Sequence, residues 1–323
     1  MKKIMFAAIL LVAGLFPNLK TVAQSGKITK SKSADENYSV HCRRITVNGL
    51  NVFYREAGPA GAPIILLLHG YPTSSHMFRN LIPLLSGKYH VIAPDLPGFG
   101  YTDVPDSVHF VYTFDHLAKT MQTFIDELKI KRFAIYVFDY GAPTGYRLAV
   151  ANPEKITGII SQNGNAYAEG LSNGWNPIQR YWENDTKENR DALRDFLTRD
   201  AVKSQYLSGV SDTSLVAPES YTLDQHFLDR ACEADIQLDL FKDYKNNVDL
   251  YPKFQDYFRT YKPKILAVWG NKDPFFLPAG AEAYKKDDPN VIVKFYNTGH
   301  FALETHVHEI GNDILNFLAT LPK

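Results

Sequence analysis

Three short loops hold the side chains best suited to chemistry: Val137-Phe138-Asp139-Tyr140-Gly141, Gly270-Asn271-Lys272-Asp273-Pro274 and Asn297-Thr298-Gly299-His300-Phe301. A carboxylate is a weak nucleophile that works against strained or polarised carbon, and the ester it forms needs a base to clear it near neutral pH. Histidine titrates in that range, and a second carboxylate fixes its tautomer and stabilises the imidazolium. Asp139, His300 and Asp273 are therefore candidates for nucleophile, base and orienting acid. These three roles require no metal and no organic cofactor. Each motif also has a plainer reading. An Asp that closes a strand can cap the next helix, and Asp-Pro and Gly-His pairs are routine in turns.

The elements around the loops favour the chemical reading. Phe133 to Val137 reads as a buried strand and Gly141 to Val150 as a helix, so Asp139 falls on a sharp strand-to-helix turn between small residues, the form of a nucleophile elbow. Asn48-Gly49 suits a tight hairpin turn between strands at Arg44 to Val47 and Leu50 to Tyr54. Pro63 to Leu68 is an apolar run that leads into His69-Gly70-Tyr71-Pro72. His90 to Ala93 leads into Pro94 to Gly100, where Asp95 is expected to bond local backbone amides. Ile156 to Ile160, Lys264 to Trp269 and Val291 to Tyr296 supply further strands, and Glu304 to Leu318 reads as a closing helix. Alternating strands and helices imply a mostly parallel α/β sheet, whose carboxyl edge holds the reactive loops. Residues 163–261 break the pattern and read as a helical cap, with helices at Glu188 to Thr198 and Ser220 to Arg230. The core is then 41–162 and 262–323.

The amino terminus reads differently. Lys2 and Lys3, the apolar run Ile4 to Phe16 and Thr21-Val22-Ala23 have the order of a secretory signal peptide over 1–23, which implies an exported protein. Residues 24–40 read as a flexible lead-in. Removing 1–23 takes away Lys2, Lys3 and Lys20 and no acid, so the formal charge of the 323-residue chain moves from 35 − 35 = 0 to 32 − 35 = −3. That balance offers no footprint for nucleic acid, and no later stretch reads as a membrane span. The spacing of Cys42 and Cys232 leaves a disulfide and two free thiols both open.

In their order of nucleophile, acid and histidine, these loops resemble the α/β-hydrolase superfamily, specifically the aspartate-nucleophile branch of epoxide hydrolases and haloalkane and haloacetate dehalogenases. The likeness runs from about His41 to Leu321, cap included. It implies an α/β-hydrolase fold and a small-molecule substrate. It also implies an oxyanion hole made by the backbone N–H groups of Tyr71, in the His69 to Pro72 turn, and Tyr140. Asp139 would form an alkyl-enzyme ester, and His300, oriented by Asp273, would activate the water that hydrolyses it.

The leaving group separates the subfamilies. An opening epoxide needs an O–H donor, whereas a departing halide needs N–H donors. Gln179 to Trp182 and Lys242 to Asn246 resemble the segments that carry the ring-opening tyrosines of epoxide hydrolases, which implies Tyr181 and Tyr244 as donors. Trp182 is similar to a halide-binding cap residue of haloacetate dehalogenases and is a candidate substrate contact. Haloalkane dehalogenases commonly carry Asn at the position of Tyr71 and Trp at that of Tyr140. Haloacetate dehalogenases favour Arg at the latter, a place Arg147 does not fill. Packing competes for every aromatic side chain in a chain with 19 Tyr and 20 Phe. The expectation is an epoxide hydrolase. A dehalogenase on the same triad is the alternative, and a non-catalytic binding protein on the same fold is a second. The complete triad argues against the last, and the lack of a Gly-x-Ser-x-Gly elbow argues against a serine esterase.

Overall fold

The computed structural model describes residues 39–106 and 109–322. The expected signal peptide and most of the lead-in lie outside the described residues. Asn48 and Gly49 take φ of 50° and 86°, the left-handed pair that a two-residue hairpin needs. They join β1 (His41–Val47) to β2 (Leu50–Ala57). The other strands are β3 (Ile64–Leu68), β4 (His90–Pro94), β5 (Phe133–Phe138), β6 (Ile156–Gln162), β7 (Ile265–Gly270) and β8 (Ile292–Tyr296). They form one eight-stranded sheet in the order β1-β2-β4-β3-β5-β6-β7-β8. The pairings β1 to β2 and β2 to β4 are antiparallel, and the others are parallel.

Alternate residues of the central strands enter two apolar layers, as a sheet covered on both faces requires. Leu66, Leu68, Ile135, Val137 and Trp269 pack on one face with Phe114, Leu117 and Tyr146. Ile65, Leu67, Tyr136, Phe138 and Val268 pack on the other with Leu81, Ile310 and Ile314. The flanking helices before the insertion are α1 (Leu81–Leu85), α2 (Phe114–Glu127) and α3 (Gly141–Ala151).

Between β6 and β7 the regular elements are all helical: α4 (Asn176–Glu183), α5 (Lys187–Ala192), α6 (Arg199–Leu207), α7 (Pro218–Leu228), α8 (Glu233–Asp249) and α9 (Tyr251–Tyr261), with short 3-10 turns. The helix expected from Glu188 to Thr198 is α5 continued by the 3-10 segment Leu193–Leu197. Two helices follow, α10 (Pro278–Ala283) and the closing α11 (Ala302–Leu318). Cys42 and Cys232 are free and exposed.

Candidate active site

Asp139 sits where β5 turns into α3, with φ at +48°, a left-handed value that costs a side-chain-bearing residue about 1–2 kcal/mol. The turn closes because Gly141 has no Cβ; one there would strike the Leu68 carbonyl. Gly70 does the same for the facing loop, since a Cβ on it would fall inside the Asp139 side chain. These two close approaches bring the Tyr71 and Tyr140 amides to one carboxylate oxygen. Both donate to Asp139 Oδ1, at 2.7 and 2.6 Å. Oδ2 instead faces His300 Nε2 at 3.8 Å. The two oxygens are therefore unlike: one is clamped by backbone donors and the other is directed to the base.

His300 Nδ1 lies 2.7 Å from Asp273 Oδ2. The remaining capacity of Asp273 is filled by the Phe275 and Phe276 amides on Oδ1, at 2.7 and 3.1 Å, and by Asn163 Nδ2 on Oδ2 at 2.7 Å. An acceptor so surrounded by donors holds the histidine proton on Nδ1, which leaves Nε2 free to take one. Burial pushes the Asp139 carboxyl up to about 6, against the pull of His300 and the two amides. Burial alone would lower His300, but Asp273, by charge and hydrogen bond, and then Asp139 outweigh it and leave its pKa raised.

The oxyanion loop has its own brace. His69 Nε2 accepts from the Leu96 amide at 2.9 Å while Nδ1 meets the Gly70 carbonyl at 3.1 Å. Asp95 accepts from the Ser75 and Tyr101 amides at 2.7 and 2.8 Å, the structural part expected of it.

Asp139 and His300 open onto a small cavity lined also by Tyr71, Tyr140, Trp175, Ile178, Phe196, Gln205, Phe241 and Phe275. It leaves ≈ 30 Å³ for water centres, room for about two molecules. Five of these side chains, Trp175 to Phe241, come from the insertion, which thus forms the wall opposite the triad.

The aromatic candidates divide. Tyr181 is buried, but its hydroxyl accepts from Arg190 at 3.3 Å, and Arg190 is itself held by Asp239 at 2.8 Å. The hydroxyl is thus engaged within the insertion, and Tyr181 is not part of the cavity wall. Trp182 donates its indole N–H to the Phe241 carbonyl at 2.7 Å and borders a separate surface groove with Lys242 and Asp243. Trp175, in the 3-10 turn that precedes α4, takes the place expected of Trp182 on the cavity wall. Tyr244 stands one ring behind that wall, with its centroid 4.5 Å from Trp175 and 5.8 Å from Tyr140. Its hydroxyl is buried, with the Tyr251 hydroxyl as its polar neighbour.

Asn163 was not singled out from the sequence. It lies just past β6 on the rim that carries Asp139, with φ at +43°. An Asn-Gly-Asn run directly after a buried strand was the available signal.

The elbow, the strand order and the sequence of Asp139, Asp273 and His300 define a class, and the family pattern of the alpha/beta hydrolase fold matches residues 63–307. The chain belongs to that family and is an enzyme of the α/β-hydrolase type. An uncharacterized hydrolase of Saccharomyces cerevisiae is 51% identical over 276 residues, covering 84% of this chain and 94% of that one. A haloalkane dehalogenase of Bradyrhizobium diazoefficiens is 38% identical over 120 residues, only 37% of this chain and 38% of that one. The crystal structure of an epoxide hydrolase from Vigna radiata superposes with a TM-score of 0.69 at 23% identity, over 87% of this chain and 98% of that one.

Proposed function

We propose that the protein opens small epoxides to diols through an ester on Asp139. Oδ2 attacks an epoxide carbon, the ring C–O bond breaks, and the alkoxide takes the Tyr244 proton. A water then gives one proton to His300 Nε2 as its oxygen bonds to Cγ, and the charge gathers on Oδ1 between the Tyr71 and Tyr140 amides. Collapse breaks the Cγ–O bond, the imidazolium protonates the departing oxygen, and the acid proton left on Asp139 returns through solvent to Tyr244.

One contrast carries the choice of substrate. Trp175 and Trp182 both engage their indole N–H groups with backbone carbonyls, at 3.2 and 2.7 Å. The Tyr244 O–H is committed to no backbone carbonyl; its polar neighbour is the Tyr251 hydroxyl, which accepts from Asn165 Nδ2 at 3.1 Å. Burial, then the neighbouring Tyr251 and Asp139, raise that phenol well above its ordinary pKa and keep it a donor at neutral pH. Tyr244 packs directly on Trp175 and Tyr140 of the cavity lining, so a substrate that enters between these two rings reaches its hydroxyl. The 120-residue likeness to a haloalkane dehalogenase supports halide release as a second reading on the same triad.

Purified protein incubated in parallel with small epoxides and with halogenated acids and alkanes separates the two. Diol without halide is expected. Intact-protein mass spectrometry of His300→Gln should show the substrate added to Asp139, Asp139→Ala should show neither adduct nor turnover, and Tyr244→Phe should lose ring opening about a hundredfold or more. Halide release that survives in Tyr244→Phe would replace the epoxide reading with dehalogenation.

A further inference from the structure

We infer that Gln205 positions the water that hydrolyses the Asp139 ester, an inference that rests on the ester route proposed above. A hydrolytic water has two O–H bonds. One points to His300 Nε2, and the other needs an acceptor if the lone pair is to stay aimed at Cγ. The cavity wall offers few. The Trp175 indole is a donor only, and the Tyr71 hydroxyl, its proton given to the Phe196 carbonyl at 2.8 Å, offers a phenolic lone pair, a poorer acceptor than an amide oxygen. The Tyr140 hydroxyl is sealed from solvent contact, and Asp139 Oδ1 is clamped by two amides.

Gln205 is 6% exposed, lines the cavity that His300 also lines, and its amide makes no hydrogen bond to another described residue. Its amide atoms are not among the sealed and unbonded polar atoms of the described residues, so they are open to water, which can satisfy them.

The backbone that carries Gln205 is tied to the loop that carries His300. Its neighbour Tyr206 stacks on Phe301 with ring centroids 3.7 Å apart and planes 4° from parallel. Just beyond α6, Ser208 and Gly209 press on Gly299 so closely that a Cβ on Gly299 would strike the Ser208 carbonyl. Gln205 therefore keeps its place relative to the loop of the imidazole, and both side chains line the same chamber, which has room for about two waters. Water bridging Nε2 and the Gln205 Oε1 has both protons engaged and a lone pair for Cγ. Its oxygen becomes part of the Asp139 carboxylate, and the alcohol oxygen leaves with the proton held by His300.

The test uses Gln205→Met, close in volume, and Gln205→Leu, with the best small epoxide from the screen. Losing one hydrogen bond to the water should slow ester hydrolysis about ten- to hundredfold and leave alkylation alone. The expected result is a lower kcat and a proportionally lower KM, an unchanged kcat/KM, an undiminished first-turnover burst, and alkylated enzyme at steady state in the mass spectrum. The intact burst also shows that the variants are folded. A fall in kcat/KM with no adduct would make Gln205 a substrate contact, and wild-type kinetics would remove it from the reaction; either overturns the inference. His300→Gln run alongside separates the two levels. An adduct in His300→Gln but not in the Gln205 variants sinks only the Gln205 role, whereas no adduct in any of them sinks the ester route.

Discussion

Asp273→Asn tests the triad most directly, because the carboxylate meets four donors and an amide has only one acceptor oxygen. If that oxygen stays with the Phe275 and Phe276 amides, the new nitrogen faces His300 Nδ1 and Asn163 Nδ2, both at 2.7 Å in the wild type. His300 can then relieve the clash only by moving its proton to Nε2, where it can no longer accept one from water. The reverse orientation sets an amide nitrogen against two backbone N–H groups and leaves the same shortage. Loss of a general base is worth about 10²- to 10⁴-fold, and a buried donor left facing a donor costs about 1–3 kcal/mol of stability. Oδ2 of Asp139 does not depend on Nδ1, so the first chemical step should remain within about tenfold of wild type while hydrolysis of the ester falls by the larger factor. Rapid quench with intact-mass detection reads both steps, and thermal unfolding reads the stability loss. Ester hydrolysis retained within about tenfold would refute the assignment of Asp273 as the group that sets the histidine tautomer.

Two pH effects follow from buried carboxyls. Burial holds Asp139 at about 6, and the nucleophile must be ionised, so the burst rate should rise as pH passes about 6 from below; a burst rate flat down to about pH 4.5 would deny Asp139 that part. Asp224, on α7 and bonded to the Tyr206 hydroxyl, is raised by burial from 3.8 to about 7. Its folded value lies above its unfolded one, so its contribution to stability is full below about 4 and is lost as pH rises through about 7. Asp224→Asn should remove that slope and gain in Tm relative to wild type between about pH 4 and 7.5. A difference in Tm that does not change with pH would contradict it.

What could be read beforehand was what is written in a few adjacent residues. Asn48-Gly49 announces its hairpin by needing two positive φ values, and the period of the apolar runs sets the strands. Asp139, Asp273 and His300 each end an apolar run at one sheet edge, so their convergence follows from topology. The insertion wall has no such local grammar. Tyr181 lies on α4 within an apparently suitable segment, but Arg190 and Asp239, drawn from other helices, decide which way its hydroxyl faces. Trp175, Gln205 and Phe241 reach the cavity through packing between helices far apart in the chain, and Asn163 acquires its purpose only when β7 brings Asp273 beside it.

The unlike oxygens of Asp139 have a consequence for where atoms end up. Under the ester route, the oxygen given to each product comes from the protein, and solvent replaces it afterwards. As long as the clamped oxygen keeps its amides, it stays in the enzyme permanently while its partner is renewed at every cycle. In heavy-oxygen water the first diol molecules would emerge unlabelled, and the protein would gain one isotopic atom and no second.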